Sequence, residues 1–115
     1  MSEVLPNKAL MARALELFRA ITHEDRLMVL VALGRSEGVD DSGVSVGELA
    51  ELCGSEQSAM SHHLRRLRDA GLVRTSRRGK QVFYALRDRH VARIIEDALE
   101  HVAEARPSRR KRAES

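Results

Sequence analysis

The sequence predicts a mainly α fold with one small β-hairpin, built as a single domain. Three observations predict it. Apolar residues recur at helical spacing in five stretches. Two short β-favouring runs flank a Gly-containing turn. A length of 115 residues leaves room for one core of modest size.

Leu10, Ala14, Leu17, Phe18 and Ile21 place a first amphipathic helix over about 7–20. Thr22 reads as the N-cap of a second helix, with Asp25 three positions on, the apolar run Leu27–Leu33 behind it and Gly34 as its end. Residues 34–44 are rich in Gly, Ser and Asp and predict an exposed loop carrying Asp40 and Asp41. A short helix follows over about 46–53, with Leu49, Leu52 and Cys53 inward, broken by Gly54-Ser55. A longer one runs over about 56–70, with Met60, Leu64 and Leu67 on one face and Gly71 closing it. The runs Leu72–Ser76 and Gln81–Leu86, joined by Arg77-Arg78-Gly79-Lys80, predict the hairpin. A last helix spans about 89–105. The basic segment after Pro107 predicts disorder, which sets a domain over 7–105 and a tail over 106–115.

Charge is unevenly placed. Residues 1–58 carry 5 basic and 10 acidic side chains, and residues 59–115 carry 15 and 7, so a net charge of +3 hides a basic second half. That asymmetry is the footprint of a polyanion-binding surface. No apolar run is long enough to cross a bilayer, Met1–Pro6 lacks the pattern of a secretory signal, and Cys53 is the one cysteine. These predict a cytoplasmic protein without a membrane partner.

Short helix, Gly-containing turn, longer helix and hairpin, in that order, make a winged helix-turn-helix. The second helix of such a pair enters the DNA major groove, where residues of its first turns reach base edges. Here those are Gln57, Ser58, Ser61 and His62, with Arg65 one turn further. Glutamine pairs bidentately with adenine, and serine serves as donor or acceptor at any base. Arg77, Arg78 and Lys80 at the hairpin tip suit phosphate or minor-groove contact.

The last helix carries a second constellation. Asp88, His90, His101 and Glu104 are two imidazoles and two carboxylates, a set that suits tetrahedral Zn(II) or Co(II), with Ni(II) a further possibility. His90 and His101 share a face but stand about 16 Å apart along the axis, too far for one ion. Two antiparallel copies of the helix solve this. The midpoint of 90 and 101 is 95.5 and that of 88 and 104 is 96, so one two-fold axis pairs Asp88 and His90 with His101 and Glu104 of the other copy. The spacing predicts a homodimer, held by the stripe Val91, Ile94, Ile95, Ala98, Leu99 and Val102. Asp97 lies between the two sites on the same face, without an assigned role.

The stretch GELAELCGSEQSAMSHHLRRLRDAGLVRTSRRGKQVFYAL resembles the helix-turn-helix and wing of the ArsR/SmtB family of bacterial metal-responsive repressors, and LFRAITHEDRLMVLVAL, with Arg26, is similar to that family's second-helix region. The resemblance covers about 15–105. It implies a dimer joined through N- and C-terminal helices and DNA contact at Gln57, Ser58, Ser61 and His62. The D-x-H…H-x-x-E pattern resembles the C-terminal-helix metal site of the family's zinc-sensing branch at all four positions. The resemblance further implies a hydrogen bond from the ligand at His101 to a backbone carbonyl ending the recognition helix, here that of Gly71. The family's thiolate sensors carry Cys-x-Cys where this chain has Ser45 and Gly47, which removes support for a soft-metal site there. The absence of His from 1–22 counts against extra N-terminal nickel ligands.

The expected function is a homodimeric repressor that binds a near-palindromic operator without metal and releases it on Zn(II) or Co(II) binding. The alternative keeps the DNA-binding dimer and takes its signal from Cys53 oxidation or a partner protein, although Cys53 reads first as core packing. Neighbouring His62 and His63 point about 100° apart and make no metal site by themselves, and His23 reads as a residue of a helix's first turn. No phosphate loop and no nucleophile–base pair point to an enzyme.

Overall fold

The computed structural model describes residues 4–36 and 43–114, with side chains through 104. Helix α1 spans Lys8–Ile21, α2 Glu24–Ser36, α3 Val46–Cys53, α4 Gln57–Asp69 and α5 Arg89–Glu114. Strands β1 (Val44–Ser45), β2 (Val73–Arg78) and β3 (Gln81–Leu86) form an antiparallel sheet in the order β1-β3-β2. No helix among the described residues is long and apolar enough to cross a membrane.

Local chemistry sets most boundaries. Asn7 accepts the Leu10 N–H at 2.8 Å and starts α1. Ser45 and Glu48 form a reciprocal capping box that starts α3. The α3–α4 turn passes through Gly54, and α4 ends in a Schellman turn. There the Gly71 N–H reaches Arg68 O at 3.0 Å and the Leu72 N–H reaches Leu67 O at 2.9 Å. Gly71 holds φ +78 in that turn, the left-handed conformation that costs glycine least.

One core lies where α2, α3, α4, the hairpin and the first turns of α5 meet. Leu30 and Leu33 of α2, Leu49 of α3, and Met60, Leu64 and Leu67 of α4 are fully buried with Leu72 and Leu86. Arg26 donates from Nε to the Ala20 carbonyl at 2.6 Å, fastening the α1–α2 corner.

Several expectations are corrected. Thr22 does not cap α2; its hydroxyl donates to the Phe18 carbonyl at 2.7 Å, an acceptor its own backbone N–H also reaches at 3.1 Å, so the residue closes the end of α1. The first-turn cap of α2 comes from His23, whose Nδ1 accepts the Asp25 N–H at 3.1 Å. Gly34 does not end α2. The helix runs on to Ser36, with Gly34 in ordinary helical backbone facing Leu86. Leu52 is 67% exposed, because Leu49 and Ala50 define an inward face about 100° away from it.

The exposed loop was expected to run through 44. Its residues 37–42, including Asp40 and Asp41, lie outside the described residues, and its end is the unexpected strand β1, with Val44 opposite Tyr84 and Ser45 opposite Phe83. Gly43 makes that approach possible: φ is +90, and a Cβ there would fall 2.7 Å from the Tyr84 carbonyl oxygen. Finally, α5 keeps helical backbone past Pro107 to Glu114, over residues expected to be a disordered tail. Arg, Lys, Ala and Glu are good helix formers, and one proline removes one backbone donor.

Candidate functional site

Helix α4 is strongly two-faced. Met60, His63, Leu64 and Leu67 are buried, while Gln57, Ser58, Ser61, His62 and Arg65 are all exposed on the face predicted to read DNA. Glu56 precedes the helix but makes no side-chain hydrogen bond to it. The first-turn N–H groups of α4 therefore keep their donors for an outside acceptor, and the helix dipole favours an anion there.

The hairpin stands beside this face. Gln57 and Ser61 line one groove with Lys80 and with Ser45, Gln81 and Tyr84, three residues that sequence reasoning had not picked out. Arg77 and Lys80 are exposed near the tip. The Arg78 guanidinium carbon lies 3.8 Å from the centroid of the Phe83 ring, a cation–π contact that holds this arginine along the wing.

The α5 donors are arranged as two separate pairs. Asp88 caps α5, with Oδ1 accepting the Val91 N–H at 3.1 Å, which leaves Oδ2 outside the cap. His90 Nδ1 is 3.7 Å from the same Oδ1, and the His90 side chain is 88% exposed. His101 and Glu104 are exposed three turns further along. One subunit does not bring the two pairs together, and the donor chemistry fits a borderline divalent ion. The expected stripe divides: Val91 and Ile95 enter the subunit's own core, whereas Ile94, Leu99 and Val102 remain exposed. On α1, Leu10, Met11, Leu15 and Phe18 are exposed too, although the helix pattern had set Leu10 and Phe18 on its apolar face. Gly71 and Asp88 line a common groove with Leu10, Arg13 and Leu17 of α1. The Schellman turn uses the Gly71 N–H, so the Gly71 carbonyl is not part of it.

A third group was not expected. His23, Asp25 and His63 each offer a ligand atom, all within 4.8 Å of one another. His63 Nε2 lies 3.5 Å from Asp25 Oδ2, and the His23 and His63 rings are 4.5 Å apart between centroids. Burial first, then the neighbouring His23, holds the His63 pKa below the ordinary imidazole value, with Asp25 opposing, so His63 is neutral near pH 7. A signal for its inward direction exists in the sequence, since 60, 63, 64 and 67 follow helical spacing.

Cys53 is half-buried against the core. Burial, and then the charge of Asp25, push its thiol pKa up, which disfavours the reactive thiolate.

Comparison with known proteins agrees with this architecture. A helix-turn-helix domain model matches residues 21–76. The chain is 39% identical over 90 residues to the HTH-type transcriptional regulator NmtR of Mycobacterium tuberculosis, covering 78% of this chain and 70% of that one. It is 33% identical over 99 residues to the HTH-type transcriptional repressor SmtB of the same species, covering 86% and 69%. Among solved structures, that of the AntR antimony-specific transcriptional repressor superposes with a TM-score of 0.74 at 32% identity, covering 90% of this chain and 88% of that one. All three are transcription regulators rather than enzymes. With the exposed polar face of α4, the hairpin beside it and these relatives together, the chain belongs to the ArsR/SmtB family of winged helix-turn-helix transcription regulators.

Proposed function

We infer that the protein is a cytoplasmic homodimeric repressor that holds operator DNA when metal-free and releases it when Zn(II) or Co(II) binds between subunits. The carrying observation is the division of the α5 donors into Asp88–His90 and His101–Glu104, at two ends of one exposed helix. An antiparallel second copy supplies each pair with its complement, twice per dimer. The exposed apolar residues of α1 and α5 give such a dimer a surface to bury. Ni(II) accepts the same nitrogen and oxygen donors, and the absence of His from 1–22 ranks it below the other two.

In this reading each residue has one task. Gln57, Ser58, Ser61 and His62 meet base edges, while Arg65, Arg77, Arg78 and Lys80 meet phosphates. Two such units in a dimer address half-sites about 34 Å apart. His90 and His101 supply imidazole nitrogens, and Asp88 and Glu104 supply carboxylate oxygens. The bound ion supplies a cross-link between the α5 helices of two copies. The Gly71 carbonyl is the acceptor we assign to the second ring nitrogen of His101, which ties the donor's orientation to the end of α4. By linkage, DNA weakens metal binding by the same factor as metal weakens DNA binding.

The test is a titration of the dimer against its own operator region in chelator, Zn(II), Co(II) and Ni(II). Zn(II) or Co(II) should lower DNA affinity by about 5–150-fold. If no metal changes the affinity, the sensing part of the reading fails and the DNA-binding part stands.

A further inference from the structure

We propose that His23, Asp25 and His63 form a second metal site, contained within one subunit, for a borderline divalent cation such as Zn(II) or Co(II). The site is separate from the α5 donors and does not depend on the dimer. His23 and Asp25 stand at the start of α2, and His63 projects from the buried face of α4.

The geometry favours a shared ion over a plain hydrogen bond. His63 is only 9% exposed, so its ring nitrogens need partners inside the protein. Its Nε2 stands 3.5 Å from Asp25 Oδ2, beyond the roughly 2.7–3.2 Å of an N–H···O bond. Its Nδ1 is buried without a hydrogen-bond partner as well, so no competing hydrogen bond fixes the ring and Nε2, the nitrogen facing Asp25, is the one available to an ion. Donors on one tetrahedral ion lie about 3.3 Å apart, given metal–ligand bonds of about 2 Å. The cluster, already within 4.8 Å, therefore needs to close by about 1.5 Å at most. His23 is exposed and Asp25 half-exposed, so both side chains have room to make that move.

The donor chemistry also fits. His23 Nδ1 accepts the Asp25 N–H at 3.1 Å, which leaves Nε2 as its free nitrogen. Ligation at Nε2 moves the ring proton to Nδ1 and exchanges that capping bond for the metal bond. Two imidazoles and one carboxylate leave a fourth position for water. Arg26 opposes a cation here, and Asp25, which acts on His63 in the opposite sense, supplies the anionic ligand that counters it. A filled site would clamp the first turn of α2 to the reading helix. His62, next in the chain to His63, is on the exposed side of that helix.

The test uses the full chain with His90→Ala and His101→Ala, titrated with Co(II) and followed by visible absorption and equilibrium dialysis. This double variant should retain one ion per subunit. Adding His23→Ala, or Asp25→Asn, should weaken that ion at least about tenfold. His23→Ala also removes the first-turn cap of α2, whereas Asp25→Asn leaves that backbone bond in place, so the Asp25→Asn variant should keep the helical circular dichroism of the double variant while its hold on the ion weakens. A double variant that binds no ion, or an ion indifferent to both added substitutions, overturns the proposal. Failure of the α5 reading registers separately: parent and double variant would then bind the same number of ions.

Discussion

Two regions carry the proposed function, and they are built in opposite ways. The reading unit of α3, α4 and the hairpin is complete in one chain. Its outer face rests on Met60, Leu64 and Leu67, all fully buried, and its groove is walled by β3 and Tyr84. The α5 donors have no such backing. They stand exposed as two half-sets on a helix whose apolar residues Ile94, Leu99 and Val102 are also uncovered. A surface that reads a rigid duplex gains from being fixed before the duplex arrives. A sensor divided between chains gains from being incomplete until a second chain and an ion meet.

The contrast can be broken or sharpened by substitution. Leu64→Ala should cost about 2–5 kcal/mol of unfolding free energy, because it opens a cavity directly beneath the reading face. His90→Ala, on an exposed side chain, should stay within about 0.5 kcal/mol of the parent in the same metal-free denaturant titration. Equal stabilities for these two variants would end the claim that only one region is backed by the core. His101→Ala should lower Zn(II) affinity at least about 100-fold in a chelator competition, while metal-free DNA affinity is unchanged. Gln57→Ala should do the reverse. It should cost about 1–3 kcal/mol at each half-site and relax the preference at one base pair in each, with metal affinity intact.

Arg77→Ala should act more weakly and without regard to sequence. The slope of log affinity against log salt should flatten by about 1.8 for the dimer, the loss of one phosphate contact in each subunit. An unchanged slope would remove Arg77 from the interface. The smallest effect is expected at Cys53. Its raised thiol pKa keeps it protonated at neutral pH, so alkylation should be slow and Cys53→Ser should leave metal-triggered release unaltered.

Legibility in the sequence followed how local the determining interactions are. The helix-turn-helix and hairpin could be read because periodicity and turn residues lie within a few positions of each other. Boundaries were lost where one side chain chose between two partners, as when Thr22 turned back to the Phe18 carbonyl and left His23 to cap α2. Strand β1 was missed because two residues carry no alternation pattern, and only the pairing with Tyr84 and Phe83 defines it. Among candidate site residues, the exposed face of α4 and the order of the α5 donors were readable. The approach of Asp25 to His63 was not, since 38 positions separate them and the α2–α4 packing alone brings them together. The inward turn of His63 was written in the spacing all the same.

The groove between α4 and the wing holds one further consequence. Tyr84 lines it beside Gln57 and Ser61, and the chain has no tryptophan and no other tyrosine. Excited above about 275 nm, where the two phenylalanines do not absorb, the protein therefore emits from a single phenol, in the groove proposed to face the duplex. Quenching of that emission gives operator occupancy directly, in the unmodified chain and free of any attached dye.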